Sequence, residues 1–288
     1  MSKKRYGLVE AGGTKFVLGV ATDKDTIEAT TRIETTTPEA TIGAMLEWFR
    51  AQGKFDAIGV GSFGPLELDR LSPSWGHIGQ TPKQHWSGAD VAGPLQSAFG
   101  CPVAIDTDVN GAALAEYHWG AGQGQRSMLY FTIGTGVGGG AVVNGKILHG
   151  LSHPEMGHMC LPRHPDDTEF AGICPFHRAC LEGLASGPAI KARWGMSLSH
   201  LPDDHPAHEI IAFYIAQTVV TMQAIFAPGC IIFGGGVMGT PGLIERVRQQ
   251  ALRLGGGYFR GDSDEIVVLP GLGDKAGLLG ALALAQSA

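Results

Sequence analysis

Apolar residues in this chain fall in short runs broken by glycine-rich turns. Tyr6–Glu10 reads as a strand, Ala11-Gly12-Gly13-Thr14-Lys15 as a tight turn and Phe16–Ala21 as a second strand. A short glycine turn between two apolar runs signals a hairpin. From Pro38 the period changes: Ile42, Met45, Leu46 and Phe49 fall at i, i+3, i+4 and i+7 of a helix. Thr37 suits its N-cap, Pro38 its first position and Gly53 its stop. Ala57–Gly61 and Val103–Asp106 read as buried strands, the latter leading into a helix from Asp108 to about Tyr117.

The plan then restarts. Met128–Ile133 reads as a strand, Gly134–Gly140 as a turn and Ala141–Val143 as the next strand, so strand, glycine turn, strand occurs twice, roughly 120 residues apart. A long helix follows at about His208–Phe226, then a strand at Cys230–Phe233, a Gly234-Gly235-Gly236 turn, a helix from Pro241, a strand at Ile266–Leu269 and a C-terminal helix. Alternating strands and helices mean an α/β fold with largely parallel sheets. Two related halves predict two lobes, with ligands bound in a cleft between them.

Composition narrows the class. Of 288 residues, 44% are hydrophobic and 17% charged, which excludes intrinsic disorder. The 44 glycines, about twice the usual share, follow no collagen period. The net charge of −6 argues against a nucleic-acid binder. The start of the chain has no apolar signal region. The longest apolar run, Ala276–Ala285, is short of a membrane span, so no membrane partner is expected. Five cysteines in a chain of this size point to a reduced, cytoplasmic setting, with thiols free, packed or metal-bound.

Three glycine turns follow apolar strands: Gly12-Gly13-Thr14-Lys15, Gly134-Thr135-Gly136 and Gly234-Gly235-Gly236. Glycine lets backbone N–H groups close around a phosphate, while Thr14, Thr135 and Lys15 add donors and charge. One such turn is more simply a hairpin; three at strand ends favour phosphate binding. Asp106-Thr107-Asp108-Val109-Asn110 ends a strand and opens a helix, so Asp108 is equally suited to be a general base or an N-cap. His158, Cys174, His177 and Cys180 have the spacing H-x15-C-x2-H-x2-C. Three potential ligands in one short loop with a fourth upstream suit a closed zinc site, although packed cysteines and exposed histidines remain the plainer alternative. Cys160, His153 and His164 are spare ligands nearby.

Glu10–Lys15 resembles the first phosphate loop of the sugar-kinase, heat-shock-protein and actin superfamily, and Ile133–Gly140 its second. His153-Pro154-Glu155-Met156-Gly157-His158, the Cys/His cluster and Leu181-Glu182 resemble the signature of the ROK family (repressors, open reading frames, kinases). Gly61-Ser62-Phe63-Gly64-Pro65, Asp106–Gly111 and Arg163–Asp167 are most similar to its bacterial fructokinases. The resemblance spans Gly7 to about Gly280 and implies the two-lobed actin-like ATPase (ribonuclease H-like) fold. It implies a first lobe over 1–117 completed by 275–288, and a second over 118–274.

The resemblance further implies transfer of the ATP γ-phosphoryl group, with Mg²⁺, to the 6-hydroxyl of fructose, Asp108 being the catalytic base. Glu10 stands where the superfamily commonly has Asp in the Mg²⁺ shell. Gly12, Gly13, Thr14, Lys15, Gly134, Thr135, Gly136, Pro188 (in Ala185-Ser186-Gly187-Pro188), Gly235, Gly236 and Val237 would hold the nucleotide. Gly64, Pro65, Thr107, Asp108, Glu155, His158 and Glu182 would meet the sugar, with Thr81-Pro82-Lys83 and Trp86 folding over it. Structural Zn²⁺ on His158, Cys174, His177 and Cys180 would pin Glu155 and Glu182, while the glycine loops lie elsewhere in the chain. The family resemblance implies a homodimer. The alternatives are a kinase for mannose or glucose, and a non-catalytic sugar-sensing member. Against the repressors of the family, the first phosphate strand begins at Tyr6, with no DNA-binding extension before it.

Overall fold

In a computed structural model, residues 3–261 and 263–288 are described. The chain divides into two compact units, one of residues 1–118, 147–153 and 272–288, the other of 119–146 and 154–271.

In the first unit, β1 (Tyr6–Ala11), β2 (Lys15–Asp23) and β3 (Thr26–Glu34) form an antiparallel meander. Helix α1 (Pro38–Gln52) leads to β4 (Ala57–Ser62), and α2 (Gly93–Phe99) to β5 (Val103–Thr107). Both strands pair parallel, giving the order β3-β2-β1-β4-β5. Helix α1 begins and ends where its sequence signals lie: Thr37 accepts the Ala40 amide and Gly53 caps the end. Strand β3 escapes the hydrophobic pattern because it is an edge strand, alternating exposed and half-buried residues with no buried position. Helix α3 (Asp108–Trp119) follows β5, and α9 (Ala276–Gln286) packs on β1 and β4. That packing is close: a Cβ at Gly59 would collide with the Ala281 carbonyl oxygen. Trp86 is fully buried in this unit's core, edge-on to Phe63, and donates from Nε1 to Thr36 O at 2.8 Å. Its indole is a packing anchor of this unit.

The second unit repeats the arrangement. Strands β6 (Ser127–Ile133) and β7 (Val137–Val143) form a hairpin, followed by β8 (Lys146–Ile147). After α4 (Leu181–Ala185), α5 (Gly187–Trp194) and α6 (Ala207–Phe226) comes β9 (Cys230–Gly234). Helices α7 (Leu243–Gly255) and α8 (Ser263–Ile266) then lead to β10 (Val267–Val268). The order β10-β9-β6-β7-β8 mirrors that of the first sheet, as the repeated strand–turn–strand pattern suggests. Three boundaries differ from the sequence pattern. Gly138–Gly140 lie in β7 rather than in the turn, and Gly139 leaves room that a Cβ would take 2.7 Å from Met156. The last strand is only Val267–Val268, because Ser263–Ile266 coil into α8. The helix after the third glycine turn starts at Leu243 rather than Pro241.

Among the described residues, α6 is the one helix long and apolar enough to cross a membrane. Most of it is buried inside the protein, as in a core helix.

Candidate active site

The first glycine turn joins β1 to β2, with the Gly12 amide donating to Lys15 O at 3.0 Å. Thr35 holds it from behind: its hydroxyl donates to Gly12 O at 2.7 Å and its amide to Thr14 O at 3.0 Å. Gly13, Thr14 and Lys15 stay exposed. Lys83 Nζ reaches Thr35 O at 3.3 Å, so the Thr81–Trp86 segment packs on the residues that shape this turn. Glu10 is the next-to-last residue of β1, its carboxylate against Gly277 in the first turn of α9. Burial raises its pKa, opposed by Lys15 and Arg32. A half-buried carboxylate beside a phosphate-type loop suits a hydrated cation.

Asp108 opens α3, and its Oδ1 accepts the Val109 amide at 2.9 Å. The capping task belongs to Thr107, whose buried hydroxyl oxygen accepts the Asn110 amide at 3.1 Å. Asp106 braces the same turn: Oδ1 accepts from the Thr107 amide at 2.8 Å and from Asn110 Nδ2 at 2.7 Å. His149 Nε2 stands 2.8 Å from Asp106 Oδ2, and that hydrogen bond raises the imidazole pKa against its partial burial. Gly64 and Pro65 share a cis peptide bond, and next to them the Leu66 amide donates to His153 Nε2 at 3.0 Å. His153 therefore ties its own segment to the first unit and is not a metal ligand.

In the second unit the other two glycine turns meet. The Gly134 amide donates to Gly136 O at 2.8 Å, the Gly187 amide to Gly134 O at 2.8 Å, and the Val237 amide to Ile133 O at 3.0 Å. Gly235, at φ +90°, lies on the Ile133 backbone. Around them is a cavity of about 350 Å³ lined by Gly134, Thr135, Gly187, Pro188, Ile190, Ser197, Leu198, Ser199, Gly236, Val237 and Thr240. Of the residues expected to hold nucleotide, Gly134, Thr135, Pro188, Gly236 and Val237 line it; Gly136 and Gly235 support it from the loop backbone. Ile190, Ser197–Ser199 and Thr240 were not foreseen. They follow no motif: Ile190 and Ser197–Ser199 reach the cavity through α5 and the turn after it, and Thr240 through the loop between β9 and α7.

His158, Cys174, His177 and Cys180 offer ligand atoms that all lie within 4.8 Å of one another. Cys174 Sγ is 3.8 Å from both His158 Nδ1 and His177 Nδ1, and Cys180 Sγ is 3.5 Å from His158 Nδ1. A tetrahedral ion with metal–sulfur and metal–nitrogen distances of about 2.3 and 2.05 Å sets S···N edges near 3.6 Å, so the donor set fits zinc. Burial, with Cys174 alongside, pushes the Cys180 thiol up to about 11. A bound divalent cation would reverse this by holding the thiolate. The spares do not join: Cys160 is not among the residues whose ligand atoms cluster, and His164 Nδ1 accepts the Asp166 amide at 3.1 Å. Asp167, buried, accepts from Tyr214 Oη at 2.6 Å and lies 3.1 Å from Arg193 Nη1, while Arg163 bonds Asp167 O and Phe170 O. This knot fixes the chain between His158 and Cys174, which gives the Arg163–Asp167 motif a structural role.

Glu155 is exposed just before this cluster, and Glu182 follows it in the first turn of α4. Glu182 Oε2 accepts the Val137 amide at 3.0 Å, which puts it on the second glycine loop, a contact no motif announces. Asp108, Thr107, Gly64 and Pro65 belong to the first unit, and Glu155, His158 and Glu182 to the second.

This arrangement of loops on two similar sheets is the actin-like ATPase architecture of sugar kinases. The ROK family model matches residues 6–288, and the chain belongs to the ROK family. It is 52% identical to a fructokinase of Zymomonas mobilis, over 99% of this chain and 98% of that one. A ROK hexokinase from Thermus thermophilus superposes with a TM-score of 0.77 at 29% identity, covering 98% of each chain. A ROK glucokinase from Streptomyces griseus, solved with glucose and AMPPNP, gives 0.75 at 26% identity over 99% of this chain and 100% of that one.

Proposed function

We propose that this protein is an ATP-dependent fructokinase that converts D-fructose to fructose 6-phosphate with Mg²⁺. The observation that carries the reading is the full-length similarity to a fructokinase, at 52% identity. Such transfer depends on positioning, charge neutralisation and one carboxylate to accept the hydroxyl proton. Asp108 is that base. Thr107 supports this role by taking over the helix cap. The nucleotide enters the cavity at Gly134–Thr135 and Gly236–Val237, with Gly12–Lys15 on the phosphates and Glu10 toward the Mg²⁺ shell. Gly64, Pro65, Glu155, His158 and Glu182 take the other sugar hydroxyls. His158 can do so from Nε2, since Nδ1 faces the cysteines.

Zinc on His158, Cys174, His177 and Cys180 supplies a structural cross-link with no open position for water. The enzyme works as a homodimer.

An ADP-release assay over fructose, mannose and glucose tests the reading. Fructose should give the highest kcat/KM. A clear preference for glucose or mannose would make this a kinase of that hexose, and no turnover of any of them would overturn the kinase reading.

A further inference from the structure

Separate in sequence from the Cys/His cluster, the second glycine loop is nevertheless gripped from both arms of that cluster. Val137 closes the loop. Its amide donates to Glu182 Oε2 at 3.0 Å, and Glu182 lies two residues after Cys180. Its carbonyl oxygen lies against Gly157, where a Cβ would collide with it, and Gly157 adjoins His158. Gly136 has no side chain because a Cβ there would stand 2.8 Å from Glu182 Oε2. On its other flank the loop lines the nucleotide cavity through Gly134 and Thr135. Only Gly136, Val137 and Gly157 separate Thr135 of the cavity from His158 of the cluster, and all of these contacts lie within the second unit.

We propose that Glu182 is a positioning residue for the second glycine loop, holding the Val137 amide and thereby transmitting the order of the Cys/His cluster to the nucleotide site. The inference rests on the reading of this loop as a nucleotide loop. A carboxylate accepting a backbone amide makes a charge-assisted bond, stronger than a neutral one. One carboxylate has two oxygens, so Glu182 can hold the loop through Oε2 and present Oε1 to a sugar hydroxyl. Sugar and nucleotide would then share one strut, and any coupling of their affinities must be reciprocal.

The test is calorimetric titration of a non-hydrolysable ATP analogue into wild type, Glu182→Gln and Glu182→Ala. Zinc content and Val137 amide exchange are measured on each protein. Loss of one charge-assisted bond should weaken the analogue by roughly tenfold or more in Glu182→Ala. Val137 exchange should quicken while zinc content stays at the wild-type value. Glu182→Gln keeps a neutral acceptor and should fall between wild type and Glu182→Ala for the analogue. Both variants should lose fructose affinity, so a sugar role alone would not separate them. If Glu182→Ala does not fold, Gly136→Ala displaces the carboxylate without removing it and should quicken Val137 exchange. Cys180→Ser should weaken the analogue as Glu182→Ala does. Normal analogue affinity with unchanged Val137 exchange in Glu182→Ala, or unchanged exchange in Gly136→Ala, overturns the inference. A wild type that phosphorylates fructose but shows no loop protection on binding the analogue overturns the inference and spares the kinase reading; one that binds no analogue overturns both.

Discussion

Thr107, expected from the family resemblance only as a sugar contact, carries the cap of α3 in the structure. Thr107→Val preserves shape and volume but removes the hydroxyl that accepts the Asn110 amide at 3.1 Å. Removing an N-cap costs about 0.5–2 kcal/mol, and a buried amide left unpaired costs about 1–3 kcal/mol. Asn110 is 1% exposed, so no water can replace the lost acceptor, and the loss should lie near 2 kcal/mol. At about 2–4 °C per kcal/mol for a chain of this size, Tm should fall by roughly 4–8 °C in a calorimetric scan. Thr107→Ser keeps the cap and should stay within about 0.5 kcal/mol of wild type. The turn that loosens also carries Asp108, so kcat should fall in Thr107→Val more than the fructose KM rises. A Thr107→Val protein with unchanged Tm and a raised fructose KM would refute this reasoning and make the residue a sugar ligand only.

Three other outcomes are expected. Asp108→Asn should lower kcat by about 10²–10⁴-fold while fructose still binds in a calorimeter; more than about a tenth of wild-type kcat would remove Asp108 as base. Thr135→Val should raise the KM for ATP more than that for fructose, because Thr135 lines the cavity; a change confined to fructose would move the loop out of the nucleotide site. The His149–Asp106 pair raises the folded-state pKa of His149, so its stabilisation is complete below about pH 6.5 and is lost as pH rises through the folded value. The Tm gap between wild type and His149→Gln should therefore be widest near pH 5.5 and narrow toward pH 9; a gap that grows with pH would contradict the pairing.

Features set by neighbouring residues are legible in the sequence itself. The cap, start and stop of α1 are local chemistry, and a hairpin turn needs its glycines whatever surrounds it. The Cys/His spacing is local too, since Cys174, His177 and Cys180 share one short loop. Tertiary structure decided what depends on distant partners. Gly138–Gly140 look like turn residues, yet they lie in β7 because they pair with Thr132, Phe131 and Tyr130 of β6, and Met156 and Phe131 leave no room for a Cβ at Gly139. Trp86 sits in a polar stretch that suggests a surface loop, but the core at Phe16 and Phe63 takes it in. Glu182 and Val137 are 45 residues apart, and Ser197–Ser199 reach the cavity only through the path of α5. Local sequence carries backbone propensities and ligand types. Which atoms meet across tens of residues is set when the two sheets and their helices pack, and no local pattern encodes that.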